Sequence, residues 1–598
     1  QRQEAQRQRA AAAGERAEPA ASRETVVGIF EEWHGMYDAS PDSAQGHSGR
    51  GGNQIYTAVL QHITSAGFVR SEEAMERFFR ICCEHAVQRA YTDSRPAAGG
   101  AEEEQKDRGE RPGEGDSGSQ EGDQASVSMQ FGAIDSFTRL VVLLMKFADK
   151  VQMLTRALSA ITRELISECE RKERQFNQRP YFRILLNLLM DVSAPDPSFE
   201  QANFQLLSAF CNTFHACNPL RVPNFAFAWL ELISNRMFMP KLLMVKGQRG
   251  WLMFQRLLVQ LLYFLEPYLR RVQLNDSTRL LYKGTVRMLL VLLHDFPEFL
   301  CDYHFSFCDI MPIPCVQIRN LILSAFPRNM KLPDPFMPNL KVDLLPEIKV
   351  APRILANYTT TLSQLNLKAD VDSYMRTREK RLLETIKDKL RLPKRETLQL
   401  DTKYNVPLLN ALLLYVGVHL PQHGKTLPGQ GSLQQNNPSL EIFMYLAHNF
   451  DYEGRYLFLG AIANHLRYPN THTHYFSCVL LYLFADTGDE VVREQITRVL
   501  LERLIVHRPH PWGLLITFIE LIKNRRYEFW NHSFVKCAPE VEKLFQSVAY
   551  TCLGTTIDRQ SEGEQQRGKP LPGGAGNSGG GVSAGGNGSE DGGLAGGA

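Results

Sequence analysis

GTVRMLLVLLHDF (Gly284–Phe296), PEFLCDYHFSFCD (Pro297–Asp309) and PRNMKLPDPFMPNLKVDLLPEIKVAPRIL (Pro327–Leu355) follow one another within the stretch Leu281–Tyr358. The first reads as an apolar helix and the second as an aromatic knot. In the third, prolines at 327, 333, 335, 338, 346 and 352 deny a continuous helix, because each removes a backbone donor and biases the residue before it towards extended geometry. Phe336, Leu340, Val342, Leu344, Leu345, Ile348 and Val350 nevertheless make it too apolar for a solvated linker. The stretch therefore predicts an extended strap laid against helices on both sides, joining two helical blocks.

Helical periodicity extends outward from the strap in both directions. Upstream, Val26, Phe30, Trp33 and Tyr37 form one stripe, and a helix through Ile55, Val59 and Ile63 stops at Gly67. Ser71 with Glu72 and Glu73 opens another, because a hydroxyl can accept the free N–H groups of a first turn. Ile134, Phe137, Val141 and Leu144 make a further face, then Val151, Leu154, Leu158, Ile161 and Leu165; Pro180 and Pro223 sit where proline opens a helix. Sustained period-2 alternation is missing, and so is a strict repeat period. The expected class is all-α, an irregular HEAT-like helical-repeat solenoid in two stacked blocks with disordered insertions and tail.

Composition divides the 598 residues as follows. Residues 1–23 are linker or disordered, 24–91 an N-terminal helical part, 92–128 a disordered Gly/Glu/Ser insertion, and 129–326 a helical-repeat block. The strap is 327–358, a second helical-repeat block is 359–553 with a mobile loop at 421–438, and 554–598 is a disordered Gly/Ser tail. Without an initiator Met, the chain reads as a piece of something longer. Eleven scattered cysteines point to reduced, buried thiols rather than a disulfide framework. Neither of the most apolar windows offers about 18 uninterrupted apolar residues, so no membrane span is expected and the chain reads as soluble and intracellular.

Chemistry-bearing clusters are weak. His294–Asp295 is an HD pair without converging partners, as a metal phosphohydrolase would need. Cys301, His304 and Cys308 form C-x2-H-x3-C but lack a regularly spaced fourth ligand. His465, His472, His474 and Cys478 surround a turn after Pro469, where one histidine is expected to cap a helix beginning near Tyr475. His507–Trp512 pairs with no nucleophile motif, and there is no phosphate-binding glycine loop. No catalytic residue, cofactor or metal is expected. Arg171, Lys172 and Arg174 form one basic patch. Met375–Glu396 is read as a charged helix whose Arg376, Arg378, Lys380, Arg381, Lys387, Lys389, Arg391, Lys394 and Arg395 give an alternative reading, direct RNA binding through 376–395.

The strings at 282–309, 320–348, 453–478 (EGRYLFLGAIANHLRYPNTHTHYFSC), 494–524 and 529–549 (FWNHSFVKCAPEVEKLFQSVA) closely resemble the C-terminal domain of the large scaffold subunit of the eukaryotic Ccr–Not deadenylase complex. The likeness is strongest over 180–550 and weaker over 24–175. It implies an all-α, HEAT-like, non-catalytic platform that docks the heterodimer of the two Not-box subunits, with other subunits joined through a missing upstream region. It also implies support of mRNA deadenylation, decay and translational repression, in the cytoplasm including P-bodies and in the nucleus. For partner contact, aromatic, Arg and Asn residues in irregular segments are the candidates. They are Arg328, Asn329, Asp334, Phe336 and Asn339 in the strap, and Arg508, His510, Trp512, Trp530 and Asn531 near the end.

Overall fold

A computed structural model describes residues 20–39, 52–92, 129–194, 197–200, 202–271, 274–337, 340–400, 402–419 and 437–553. The expected linker 1–23 up to Pro19, the insertion 92–128 past Thr92, the loop 421–438 up to Asn436, the tail 554–598 and the candidate Asn339 lie outside the described residues.

Counting helices of seven residues or more, the first half holds α1 (Ala20–Asp38), α2 (Gly52–Ser65), α3 (Glu72–Thr92), α4 (Gly132–Phe147), α5 (Lys150–Lys172), α6 (Arg179–Ser193) and α7 (Asn203–Ala216). It continues through α8 (Ala226–Ile233), α9 (Trp251–Arg270), α10 (Asp276–Asp295), α11 (Pro297–Ile310) and α12 (Val316–Leu323). Each packs on near neighbours in sequence, α3 on α4 and α5, α5 on α7, α9 on α11, α10 on α12. That is how stacked helical pairs bury one face each. Among the described residues there is no strand, and one isolated bridge joins Arg391 to Tyr404. No described helix is long and apolar enough to cross a membrane.

Local chemistry sets the helix ends. The Ser71 hydroxyl accepts from the Ala74 N–H at 3.1 Å, opening α3. Gly67 ends the turn after α2 with φ 82°, a conformation that costs glycine little. Pro180 opens α6 as expected, whereas Pro223 opens a 3-10 turn that runs into α8. α1 starts at Ala20 rather than near Glu24, since Ala20 and Ala21 favour helix as strongly as any residue. Buried aromatics keep their polar atoms satisfied: Trp33 Nε1 donates to the Ser136 carbonyl at 2.7 Å and Trp229 Nε1 to that of Phe214 at 2.8 Å.

The second half holds α13 (Tyr358–Gln364), α14 (Leu367–Thr377), α15 (Lys380–Lys389), α16 (Lys394–Leu400), α17 (Val406–His419), α18 (Pro438–Asn449), α19 (Tyr452–Ala463), α20 (Thr471–Asp486), α21 (Glu490–Leu504) and α22 (Trp512–Lys523). Residues up to Phe534 form one compact unit, and Val535 onward a second whose described helix is α23 (Pro539–Leu553). No division falls at the strap. The helices flanking it are joined directly: Asn320 Nδ2 donates to the Arg503 carbonyl at 2.6 Å, and Asn410 Nδ2 to Asp309 at 2.8 Å.

The expected charged helix over Met375–Glu396 is three pieces. Arg378 takes φ 58° and ends α14, and Leu390–Pro393 separates α15 from α16 because proline cannot continue the helix. The ten cysteines whose side chains are described are free.

Candidate partner-docking surface

The strap is pinned from below by polar contacts along its length. Trp512 Nε1 donates to the Pro333 carbonyl at 2.8 Å. His474 Nε2 meets Asp343 Oδ1 at 2.8 Å, and the Thr471 N–H donates to the Val350 carbonyl at 3.0 Å. The Leu355 N–H donates to the Asp302 carbonyl at 2.8 Å, while the Arg353 guanidinium reaches Asp302 Oδ2 at 3.2 Å and Gln248 Oε1 at 2.8 Å. The strap thus crosses from α11 to the start of α20 and the start of α22.

The strap lies against helices as expected, but most of its apolar side chains are not buried by them. Ile348 alone among its seven apolar residues is buried, at 4 % exposure, while Leu344 is 72 %, Val350 63 % and Phe336 39 % exposed. Over two 3-10 turns, Val342–Leu344 and Pro346–Lys349, exposed and half-buried side chains alternate, and polar bonds fix the strap together with Ile348 and the partly buried Met330, Leu332 and Leu355. The result is a fixed backbone presenting apolar side chains outward.

Beneath it lies a buried polar knot. The Arg467 side chain, 2 % exposed, lies over the Tyr468 ring at 5.1 Å and donates through Nη1 to the Cys301 carbonyl at 3.1 Å. The Gly513 N–H donates to the Arg467 carbonyl at 2.6 Å. Asn470 caps α20, its Oδ1 accepting from the N–H groups of His472 and Thr473, each at 3.0 Å. The cap is therefore asparagine, and the helix starts at Thr471 rather than at a histidine near Tyr475; a short amide side chain reaches the first-turn donors.

The His and Cys clusters weighed as ligand sets are largely buried in packing here. His304 is fully enclosed, its Nδ1 at 2.8 Å from the Cys301 carbonyl, and burial with the nearby Arg467 charge pushes its pKa well below the ordinary histidine range. His465 stacks on Phe476 with centroids 4.4 Å apart and is lowered by burial, then by His472 and Arg467. His472 is pushed down to about 4 by burial and Arg467. Asp302 is raised to about 6 by burial, against the pull of Arg353 and Arg467. His294 pairs with Asp295 at 2.7 Å on the exposed end of α10. Among the described residues no group of three or more His, Cys, Asp or Glu is placed to hold a metal ion.

The candidate contact residues separate into classes. Arg328 is exposed, with its N–H on Glu298 at 2.9 Å and its guanidinium ion-paired there; Asn329 is exposed. Asp334 accepts from the Phe336 N–H at 2.9 Å, which sets the turn that turns Phe336 out. Trp512 is 4 % exposed and serves as the post on which the strap hangs. Arg508 is exposed; His510 is half-buried, bonded to the Val506 carbonyl at 2.8 Å and lowered by burial. Trp530 is half-buried with Nε1 on the Ile522 carbonyl at 3.2 Å, and Asn531 is exposed. Of the residues that build the attachment, Arg467 and Arg353 carry no signal in the sequence, His474 stands out only as one of a histidine cluster, and the place of Asn470 before a helical run marks a cap.

The 376–395 basic residues are spread over α14, α15, α16 and the turn between the last two. Arg378 pairs with Glu441 at 2.6 Å, Lys389 with Asp370 at 2.5 Å, and Lys387 lies over the Tyr445 ring at 5.8 Å, while Arg376, Lys380, Arg381, Arg391, Lys394 and Arg395 are exposed. In the other patch Lys172 pairs with Glu168 and sits 4.0 Å over the Tyr91 ring.

Residues 189–549 match the family model of the CCR4-Not complex component Not1. The chain belongs to the Not1 family. It is 43 % identical over 469 residues to the CCR4-NOT transcription complex subunit let-711 of Caenorhabditis elegans, covering 74 % of this chain and 17 % of that protein. It is 34 % identical over 436 residues to the general negative regulator of transcription subunit 1 of Schizosaccharomyces pombe, covering 69 % of this chain and 20 % of that one. The chain thus spans about a fifth of these Not1 relatives. Among solved structures, the NOT1 superfamily homology domain from Chaetomium thermophilum superposes with a TM-score of 0.75 at 25 % identity, covering 89 % of this chain and 99 % of that domain. A Not1 C-terminal domain in complex with Not4 superposes with a TM-score of 0.69 at 25 % identity, covering 88 % and 99 %. The all-α helical-repeat architecture and the assignment to the C-terminal region of a Not1 scaffold follow.

Proposed function

We propose that this chain is a non-catalytic docking platform of a CCR4–NOT complex, and that the strap is the surface on which the heterodimer of Not-box subunits lies. The observation that supports it most is the strap itself, a backbone held at Pro333, Asp343, Val350 and Leu355 with Leu344, Val350 and Phe336 turned outward. Apolar groups on a pre-ordered backbone bind without the entropic cost of ordering a loop. The similar Not1 C-terminal domain seen with Not4 supports a docking role for this type of domain. Through such docking the chain would serve mRNA deadenylation, decay and translational repression in the cytoplasm, P-bodies and nucleus.

The test is co-purification of this chain with a Not-box heterodimer, using Leu344→Asp and Val350→Asp. Both side chains are exposed, so the thermal midpoint should stay at the wild-type value while binding falls at least about tenfold, as loss of a central apolar anchor does. Retained binding in the double variant, or a folded wild-type chain that captures no heterodimer, refutes the proposal.

A further inference from the structure

A cleft between α11, α12, α17, α19 and α21 holds two buried guanidinium groups that no carboxylate pairs with directly among the described residues. Arg319 (8 % exposed) and Arg503 (5 % exposed) both line it. Arg503 uses Nη2 on the Gly460 carbonyl at 2.8 Å and Asn464 Oδ1 at 2.9 Å. Arg319 uses Nη2 on the carbonyls of Met311 at 2.6 Å and Pro312 at 3.2 Å, and its Nε has no acceptor. Neither guanidinium is in an ion pair among the described residues. Burial first, and the Arg319 charge second, bring the Arg503 pKa down to about 9.

The carboxyls nearby are committed elsewhere. Glu502, on the cleft wall, accepts from Tyr456 Oη and from Arg498 at 2.7 Å. Asp309 accepts from Asn410 at 2.8 Å; burial raises its pKa against the pull of Asn410 and the Arg319 charge, and it forms no ion pair with Arg319. Two like charges taken out of water without a partner are costly, and arginine forks match the paired oxygens of an oxyanion. The cleft has about 40 Å³ of space open to water centres. At roughly 10–15 Å³ per water that is room for about three or four oxygen-sized atoms.

We propose that the Arg319–Arg503 cleft is a binding site for a tetrahedral oxyanion of the phosphate class, seated between the two guanidinium groups and neutralising both. The ion joins α12 to α19 and α21, elements from the two sides of the strap, so its occupancy stabilises the junction between them.

The purified chain in a chloride buffer is titrated with inorganic phosphate, with sodium chloride at matched ionic strength as control, following thermal midpoint and calorimetric binding. A saturable midpoint rise with phosphate but not chloride is expected, with affinity weakened about tenfold in Arg319→Gln and in Arg503→Gln, the scale of a lost charge-assisted bond. Val406→Glu, at the cleft rim with both arginines kept, places a carboxylate where the ion sits. It should raise the midpoint without phosphate and abolish the response, and it decides the matter even if an arginine variant fails to fold. Phosphoserine binding as tightly as inorganic phosphate supports a site for the phosphoryl group on either a free ion or a larger molecule; preference for the free ion supports the site for the ion itself. Equal responses to phosphate and chloride, or a Val406→Glu variant that still responds like the wild type, overturns the proposal.

Discussion

Gly513→Ala should damage the strap's foundation without touching the strap. Gly513 begins α22 where three elements meet, and a Cβ there would lie 2.4 Å from Thr473 Cγ2, 2.8 Å from the Arg467 carbonyl oxygen and 2.8 Å from the Leu466 carbonyl carbon. Two of those neighbours are backbone of the polar knot and cannot swing aside, so α22 must move. Overpacking of this kind costs about 1–3 kcal/mol. The shift also stretches the 2.6 Å bond from Gly513 N–H to the Arg467 carbonyl, about 1 kcal/mol more. The gain from replacing glycine inside a helix, at most about 1 kcal/mol and less at a helix start, does not offset this. The expected net loss is about 1–4 kcal/mol. Across several hundred residues, unfolding entropy of about 2.1 cal/mol/K per residue makes that a midpoint change of only a few degrees. Urea unfolding is therefore read together with hydrogen exchange at Thr471 and Leu355, whose N–H groups bond strap and knot. Gly28→Ala in α1 is the control, because a Cβ there meets nothing within 4 Å and should stabilise by about 0.5–1 kcal/mol. If both substitutions shift the urea midpoint equally, or Gly513→Ala leaves exchange at Thr471 unchanged, close packing at the knot is not what holds the strap.

Trp512→Phe removes the indole bond to the Pro333 carbonyl while keeping most of the packing. It should cost about 1–2 kcal/mol and speed protease cleavage within 327–358, checked by limited digestion. Asn470→Ala strips two first-turn donors of α20 of their acceptor and should cost about 1–2 kcal/mol by chemical unfolding. Acid should destabilise the knot. His304, His465 and His472 have folded pKa values depressed below the unfolded value of about 6.5, so their contribution is complete above that pH and is lost as pH falls from about 6.5 towards 4. For His472 alone, a fall to about 4 corresponds to a ceiling of about 3 kcal/mol. Asp302, raised to about 6, acts in the opposite sense between about pH 6 and 4, but three histidines outweigh one carboxyl. A urea midpoint lower at pH 5 than at pH 7.5, with the decline reduced in His472→Gln, is the expected result; a midpoint that rises on acidification contradicts it.

Periodicity and helix-end chemistry made the helical class legible before any coordinates. The stripe Val26, Phe30, Trp33 and Tyr37 has its first three members buried in α1, and Ser71 and Pro180 open their helices. Such signals are local: a cap needs an acceptor within three residues, and a buried stripe needs only the 3.6-residue repeat. The candidate contact residues were harder to judge, because exposure is a property of what packs against a residue. Trp512 and Phe336 are both aromatic and both in irregular sequence, yet one is the buried post of the strap and the other faces outward.

By itself the sequence determined the all-α class and the family resemblance carried by long strings such as EGRYLFLGAIANHLRYPNTHTHYFSC. These rest on short-range patterning and on many residues at once, so no tertiary contact was needed to read them. Only the tertiary structure decided which strap side chains turn outward, that helices on both sides of the strap belong to one unit, and that histidines and arginines far apart in sequence gather beneath it. Arg319 and Arg503 look like ordinary surface arginines until α12 and α21 pack together and close water out from around both. Burial and charge proximity are pairwise properties of distant segments, and no periodicity along the chain encodes them.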